Sequence, residues 1–288
     1  MAAIARLAPA KINLFLHVGP LEADGYHPLA SLVVFADVGD RLTVEPAERL
    51  SLTVTGPFAG ALEGEGDNLV LRAVRALGAA AGIGEPGLRI TLDKQLPVAA
   101  GLGGGSSDAG AALKLARDAL GLPLDDAALA EIAAGIGADG PMCLHARAAW
   151  AEGRGDVLTF ENSLPPLPAL LVNPGVASST GGVYRAFDEG VAGGADQPAS
   201  PSARDAAAVI DWLSEQRNDL QAPAVALAPA IGEALARTAG LPGARLTRMS
   251  GSGATVFALF DTAAAAEAAG RSLAALQPGW WVRPTTLR

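Results

Sequence analysis

One cysteine, Cys143, stands among 288 residues. A single thiol excludes an intramolecular disulfide and any multi-cysteine metal site, and it fits a reducing cytosol. Three scattered histidines, His17, His27 and His145, form no metal-ligand spacing, and His17 and His145 read as strand residues. Positive charge is also scarce: 21 Lys and Arg against 30 Asp and Glu leave a net charge of −9 and a pI near 4.8. Nucleic-acid binders need a basic stripe to displace counterions, and no such stripe is present, so nucleic acid is not an expected partner. A polyanionic small ligand would have to be held by local devices such as helix N-termini, backbone N–H nests and a few placed cations. No uncharged apolar run reaches the roughly 18 residues of a membrane span. The opening, Met1–Pro9, is too short and interrupted for a signal peptide. The expectation is a cytoplasmic protein with no membrane contact, and no coiled-coil seam or apolar stripe implies a protein partner.

What remains is material for a large core. Half of the residues are apolar and 18% are charged, with glycine and proline spread along the chain rather than in repeats. Strand patterns fall at Ala10–Val18, Ser31–Phe35, Asp40–Glu45, Leu50–Thr55, Leu88–Leu92, around Met142–Trp150, and at Val157–Phe160. Helical spacing covers Leu69–Ala81 after Asp67-Asn68, the stretch ending at Leu120, and Asp125–Ala134. The aperiodic, proline-rich stretch Asn162–Pro168 reads as a linker and Gly190–Pro201 as a mobile surface loop. Beyond the linker come a strand at Ala169–Val172, helices at Ser202–Glu215, Ala230–Ala239 and Ala263–Leu276, and strands at Arg245–Met249, Thr255–Phe260 and Trp281–Thr285. The order suggests two α+β domains, residues 1–161 and 162–288. Trp150, Trp212, Trp280 and Trp281 read as packing residues without a ligand role.

The segment with most chemical content is Ala100-Gly101-Leu102-Gly103-Gly104-Gly105-Ser106-Ser107-Asp108 at the start of a helix. Glycines let backbone N–H groups turn toward a phosphate and approach it closely, and the helix dipole adds positive charge there. Ser106 or Ser107 can cap the helix, donate to a phosphate oxygen, or contact magnesium directly or through water. A dinucleotide fingerprint fails because Ser106 stands where its third glycine belongs. A Walker loop fails because the nearest downstream lysine, Lys114, lies two turns inside the helix.

The run Leu96-Pro97-Val98-Ala99-Ala100-Gly101 through Asp108 resembles the phosphate loop of the galactokinase, homoserine kinase, mevalonate kinase and phosphomevalonate kinase superfamily. Pro9-Ala10-Lys11-Ile12-Asn13-Leu14 is similar to its N-terminal motif, and Met249-Ser250-Gly251-Ser252-Gly253-Ala254 to its C-terminal glycine motif. The resemblance implies a two-domain α+β kinase fold, with a ribosomal-protein-S5-domain-2-like N-terminal part and a ferredoxin-like C-terminal part. It also implies use of ATP with Mg²⁺, with Pro97 and Ala100–Ser107 around the phosphates. Asn68 and Leu69 would line the adenine side, with Lys94 either helping there or ending a strand in solvent.

Within the superfamily, Asp24-Gly25-Tyr26-His27-Pro28-Leu29 resembles the cytosine-recognition motif of the branch acting on a cytidine diphosphate substrate. Tyr26 can stack on a pyrimidine, His27 can read its polar edge, and Tyr184, in Ser179-Thr180-Gly181-Gly182-Val183-Tyr184, would supply an aromatic on the other face. Thr180, Gly251 and Gly253 join the implied substrate contacts. The resemblance carries Lys11 and Asp139 as the catalytic pair and Asn13 as a neighbouring polar contact. Asp139 would take the proton of the attacking hydroxyl and Lys11 would keep it ionised and hold the reactants in line. The implied reaction is phosphorylation of the 2-hydroxyl of 4-diphosphocytidyl-2-C-methyl-D-erythritol. Sibling kinases of mevalonate or homoserine, and a non-catalytic nucleotide-binding protein on the same fold, are the alternatives. One departure stands out: Gly140 occupies the place where the family usually has valine, which loosens the backbone beside Asp139.

Overall fold

The computed structural model describes residues 3–63, 68–190, 193–201 and 203–288. Asp67 of the helix opening, Val191 and Ala192 of the expected loop, and Ser202 of a helix start lie outside them. The chain divides into two compact units that are discontinuous in sequence. Unit 1 takes Met1–Ala10, Val38–Val98 and Gly103–Ala146, and unit 2 takes Lys11–Asp37, Ala99–Leu102 and Arg147–Arg288. Two long strands, β1 (Ile4–Val18) and β2 (Leu29–Pro46), supply residues to both. The expected strands Ser31–Phe35 and Asp40–Glu45 are therefore one strand. The polar residues between them break the apolar pattern without forming a turn.

In unit 1 the sheet is built by β2, β3 (Ser51–Thr55) and β4 (Leu88–Asp93). β4 runs antiparallel to β2, with Leu42 opposite Leu92, and parallel to β3, with Leu52 opposite Ile90. A parallel pair needs a crossover, and α1 (Leu69–Ala80) provides it. Helices α2 (Gly104–Leu120), α3 (Asp126–Ala134) and α4 (Gly140–His145) complete the unit. Leu42, Val44, Ile90 and Leu92 of the strands meet Val74, Leu77, Leu113 and Leu129 of the helices in one buried core.

α4 corrects the expected strand around Met142–Trp150. Pro141 in the first turn has the fixed φ that starts a helix, and a short apolar run cannot by itself distinguish strand from helix. The strand, β5 (Ala149–Glu152), begins only after α4 and pairs with β6 (Val157–Phe160). His145 is thus helical, whereas His17 lies in β1 as expected.

Unit 2 carries an antiparallel sheet in the order β10 (Trp281–Leu287), β7 (Leu167–Asn173), β9 (Val256–Leu259), β8 (Leu246–Met249). Its helices are α5 (Thr180–Asp188), α6 (Ala206–Ser214), α7 (Gln221–Leu227), α8 (Pro229–Ala239) and α9 (Ala263–Leu276). α9 packs Ala266, Ala269 and Leu273 against Leu170 and Val172 of β7. Two of these helices have weak sequence signals. α5 contains Gly181 and Gly182 and is started by Ser179, whose hydroxyl accepts from the Gly182 N–H. α7 carries Pro223, tolerated because a first-turn residue needs no N–H partner. Trp150 and Trp212 pack on Phe15 with ring centroids 6.0 and 5.9 Å away, consistent with a packing role. No helix among the described residues is long and apolar enough to cross a membrane.

Gly140 has a steric reason to be glycine. A Cβ there would lie 2.1 Å from the Ala133 carbonyl oxygen and 2.6 Å from its carbon, so the start of α4 can touch the end of α3 only without a side chain. Gly140→Val should destabilise the protein by about 1–3 kcal/mol, the usual cost of overpacking. An unfolding midpoint in urea equal to that of the parent protein would contradict this reading.

Candidate active site

The glycine loop enters unit 1 at Gly103, which caps α2 in the left-handed conformation, φ 61°. The helix begins at Gly104, so Ser106 and Ser107 sit in its first turn and, of the roles open to them, capping is one that neither fills. Ser106 is half-buried, whereas Ser107 is fully buried with a hydroxyl that has no hydrogen-bond partner. Leu69 lies under the loop: a Cβ on Gly105 would be 3.1 Å from its methyl group. Asn68 caps α1, its side-chain oxygen accepting from the Val70 N–H at 2.9 Å. Pro97 follows the strand end half-buried. Asp139 occupies the cap position of α4, half-buried, and its side chain makes no capping bond to that helix.

Beneath the loop lies a buried ionic cluster. Lys94 is 3% exposed and donates to Asp40 at 2.5 Å and to Asp108 at 2.7 Å. Asp40 is fully buried, and its other oxygen accepts from the backbone N–H groups of Gln95 and Leu96 at 2.6 and 2.8 Å. Lys94 is thus neither a solvated strand end nor, through its ammonium, an open ligand contact. One ammonium faces two carboxylates, so the cluster has one negative charge in surplus. Burial pulls the Lys94 ammonium down, but the charges of Asp108 and Asp40 outweigh it and the group is held protonated. The surplus falls on Asp108: burial, with repulsion from Asp40, pushes its carboxyl up to about 7 against the pull of Lys94. Its Oδ1 is buried without a partner.

Unit 2 gathers a second set of residues around Gly101 and the turn Ser250–Gly253. Gly101 has φ +73°, and a Cβ would lie 2.5 Å from the Ser250 oxygen and 2.8 Å from that of Gly253, so only glycine permits this approach. The Ser250 hydroxyl donates to the Gly101 carbonyl at 3.2 Å, and Thr255 N–H donates to Ala100. Lys11 N–H donates to the Leu102 carbonyl at 2.8 Å, and its side chain is buried. Asn13 donates from Nδ2 to Ser31 at 2.8 Å, while its Oδ1 is buried without a partner, 3.3 Å from where a Cβ on Gly251 would stand. Thr180 meets the same turn through a 2.9 Å hydrogen bond between its hydroxyl and that of Ser252.

The aromatic group is also in unit 2. Tyr26 is 52% exposed, and the Arg154 guanidinium lies over its ring at 4.1 Å while pairing with Asp24. His27 is enclosed: its ring lies 5.0 Å from that of Tyr184 and 5.7 Å from Phe187, and Nε2 is 2.6 Å from Asp188 Oδ1. Unit 2 therefore holds Lys11, Asn13, Tyr26, His27, Thr180, Tyr184, Gly251 and Gly253 as well as Ala100–Leu102. Unit 1 holds Asn68, Leu69, Pro97, Gly103–Ser107 and Asp139.

Known proteins with this arrangement are informative. Residues 68–147 match the GHMP kinase N-terminal domain and residues 200–278 the GHMP kinase C-terminal domain. The 4-diphosphocytidyl-2-C-methyl-D-erythritol kinase of Caulobacter vibrioides is 53% identical over 286 residues, covering 97% of this chain and 98% of that protein. That of Methylobacterium radiotolerans is 51% identical across all of both chains. The crystal structure of a 4-(cytidine 5′-diphospho)-2C-methyl-D-erythritol kinase superposes with a TM-score of 0.79 at 36% identity, covering 99% of each chain. The chain belongs to the 4-diphosphocytidyl-2-C-methyl-D-erythritol kinase family of GHMP kinases. Membership of that family accounts for the two-domain α+β kinase fold and for ATP-dependent phosphoryl transfer, in line with the implied fold and activity.

Sequence reasoning about the family motifs passed over four side chains at these sites. Asp40 and Asp108 carry no pairing signal, since partners 54 and 14 residues from Lys94 are joined only by the fold. Arg154 meets Asp24 from 130 residues away, a pairing made only by the fold. Asp188 lies one helical turn beyond Tyr184, a spacing that would have placed both on one face had the helix been recognised.

The ionic cluster gives a pH signature. Asp108 binds its proton more tightly folded, at about 7, than at its ordinary 3.8. Its contribution to stability is therefore most favourable at low pH and declines as pH rises through that window, by at most about 1.4 kcal/mol per pH unit. Asp108→Asn should flatten the fall in urea-unfolding free energy between pH 5 and 7. Parallel pH slopes for the two proteins would contradict the assignment.

Proposed function

We propose that the protein transfers the γ-phosphoryl group of ATP to the 2-hydroxyl of 4-diphosphocytidyl-2-C-methyl-D-erythritol, in the non-mevalonate route to isoprenoid precursors. The observation that carries this reading is full-length likeness, at 53% identity, to a kinase named for that substrate. The Tyr26, His27 and Tyr184 aromatic group supports it over mevalonate or homoserine, which have no base to stack. The cytoplasm is its place of action, consistent with a single reduced, buried Cys143.

Backbone N–H groups of Gly103–Ser106, at the positive end of α2, cradle the phosphates of ATP, with Ser107 in the same turn, Gly101 and Leu102 on the same loop, and Pro97 and Ala100 leading into it. Asn68 and Leu69 line the adenine side. Magnesium fits this donor set because it keeps most of its ligands as water and phosphate oxygens and needs only one or two from protein. Ser106 has the accessible hydroxyl of the two serines and would hold the ion, directly or through water. When bound, the ion neutralises charge on the phosphates.

Asp139 accepts the proton of the attacking hydroxyl, and Lys11 places a positive charge where the phosphoryl group is transferred. Asn13 Oδ1, buried and unpartnered beside Gly251, accepts a hydrogen bond from the substrate. Thr180, Gly251 and Gly253 contact the substrate beside the Ser250–Gly253 turn. Tyr26 and Tyr184 flank the cytosine, and His27 reads its polar edge.

Asp139→Asn should lower turnover by about 10²–10⁴-fold with ATP affinity retained, the usual weight of a general base. Near-normal turnover would remove Asp139 from that role. Tyr26→Ala should raise KM for the cytidine substrate with kcat largely kept. An unchanged KM would take Tyr26 out of the base site.

A further inference from the structure

His27 and Asp188 are 161 residues apart in sequence and meet at 2.6 Å. The His27 side chain is only 8% exposed, packed by Tyr184 and Phe187, which lie with Asp188 on one face of α5. Asp188 is the last residue of α5, where a carboxylate faces the negative end of the helix dipole. Helix stability therefore argues against an aspartate at this position, and its contact with His27 gives it a different use.

The chemistry of that contact is directional. A carboxylate only accepts, so His27 Nε2 must carry the proton it shares with Asp188. In the neutral ring the other nitrogen, Nδ1, is then left as an acceptor. We infer that Asp188 is a positioning residue that locks His27 in the Nε2–H tautomer, so that Nδ1 selects a base carrying an amino group over one carrying a carbonyl. Cytosine has an exocyclic amine at the position where uracil has a carbonyl. An acceptor facing that position gains a hydrogen bond from the first and is repelled by the second. The inference rests on the reading of His27 as part of the base site.

The test compares kcat/KM for the cytidine substrate with that for its uridine counterpart, at pH 8, in the intact enzyme and in Asp188→Ala, Asp188→Asn and His27→Ala. Asp188→Asn keeps the shape of the side chain, so folding is not in question for at least one variant. Asp188→Ala should lose about ten-fold or more of the preference for cytidine, since a site built for one hydrogen-bond polarity discriminates through it. Asp188→Asn, whose amide oxygen still accepts from Nε2–H, should keep most of it. Saturated turnover with the cytidine substrate should be largely kept. The ¹⁵N shifts of the His27 ring should show the Nε2–H form in the parent and a population of Nδ1–H in Asp188→Ala. A preference lost in His27→Ala but intact in Asp188→Ala would overturn the role of Asp188 and leave the base site standing. A preference unchanged in His27→Ala would overturn the base-site reading and this inference with it.

Discussion

The ammonium of Lys94, buried between Asp40 and Asp108, is the interaction on which the unit that carries the start of α2 depends. It joins β4 to β2 and both to the first turns of α2. The same Asp40 carboxylate gathers the Gln95 and Leu96 amides and so fixes how the chain leaves β4 on its way to the loop. Buried ion pairs add little net stability when whole, but removal of one partner strands the others in low dielectric at a cost of about 3–5 kcal/mol. The cluster therefore acts less as a source of stability than as a constraint on geometry. Gly104 is part of it: a Cβ there would stand 3.1 Å from the Lys94 ammonium.

Unit 2 solves a different problem with different means. The residues around Gly101 and the Ser250–Gly253 turn are held by backbone proximity and short neutral hydrogen bonds: Gly101 against Ser250 and Gly253, Ser252 against Ser178 and Thr180, and Asn218 across the carbonyls of Met249 and Gly251. In a chain of net charge −9, oriented amides are a means of attracting phosphate that adds no free cation. Among the placed charges of unit 2, Arg154 is occupied by Asp24 and Tyr26.

Much of this was legible in the sequence because its strongest signals are local. The loop Gly101–Ser107, the helix Leu69–Ala80 with its Asn68 cap, and the final strand–turn–strand–helix–strand order follow from glycine content, capping residues and hydrophobic period. The failures are equally physical. α4 was read as a strand because six residues are too few to show a helical period, and α5 and α7 were missed because glycine and proline there mimic breakers. The line at residue 162 divides the chain by linear order. The compact units cross it, because β1 and β2 are long enough to serve both. The ionic cluster and the His27–Asp188 pair were invisible because each joins residues distant in sequence, and no pattern along the chain encodes which lysine meets which aspartate.

The most direct measurement is ADP release by the purified protein supplied with MgATP and, in parallel, 4-diphosphocytidyl-2-C-methyl-D-erythritol, mevalonate and homoserine. The account predicts turnover with the cytidine compound alone. Silence with that compound, together with turnover of mevalonate or homoserine, would contradict it while leaving the kinase fold in place.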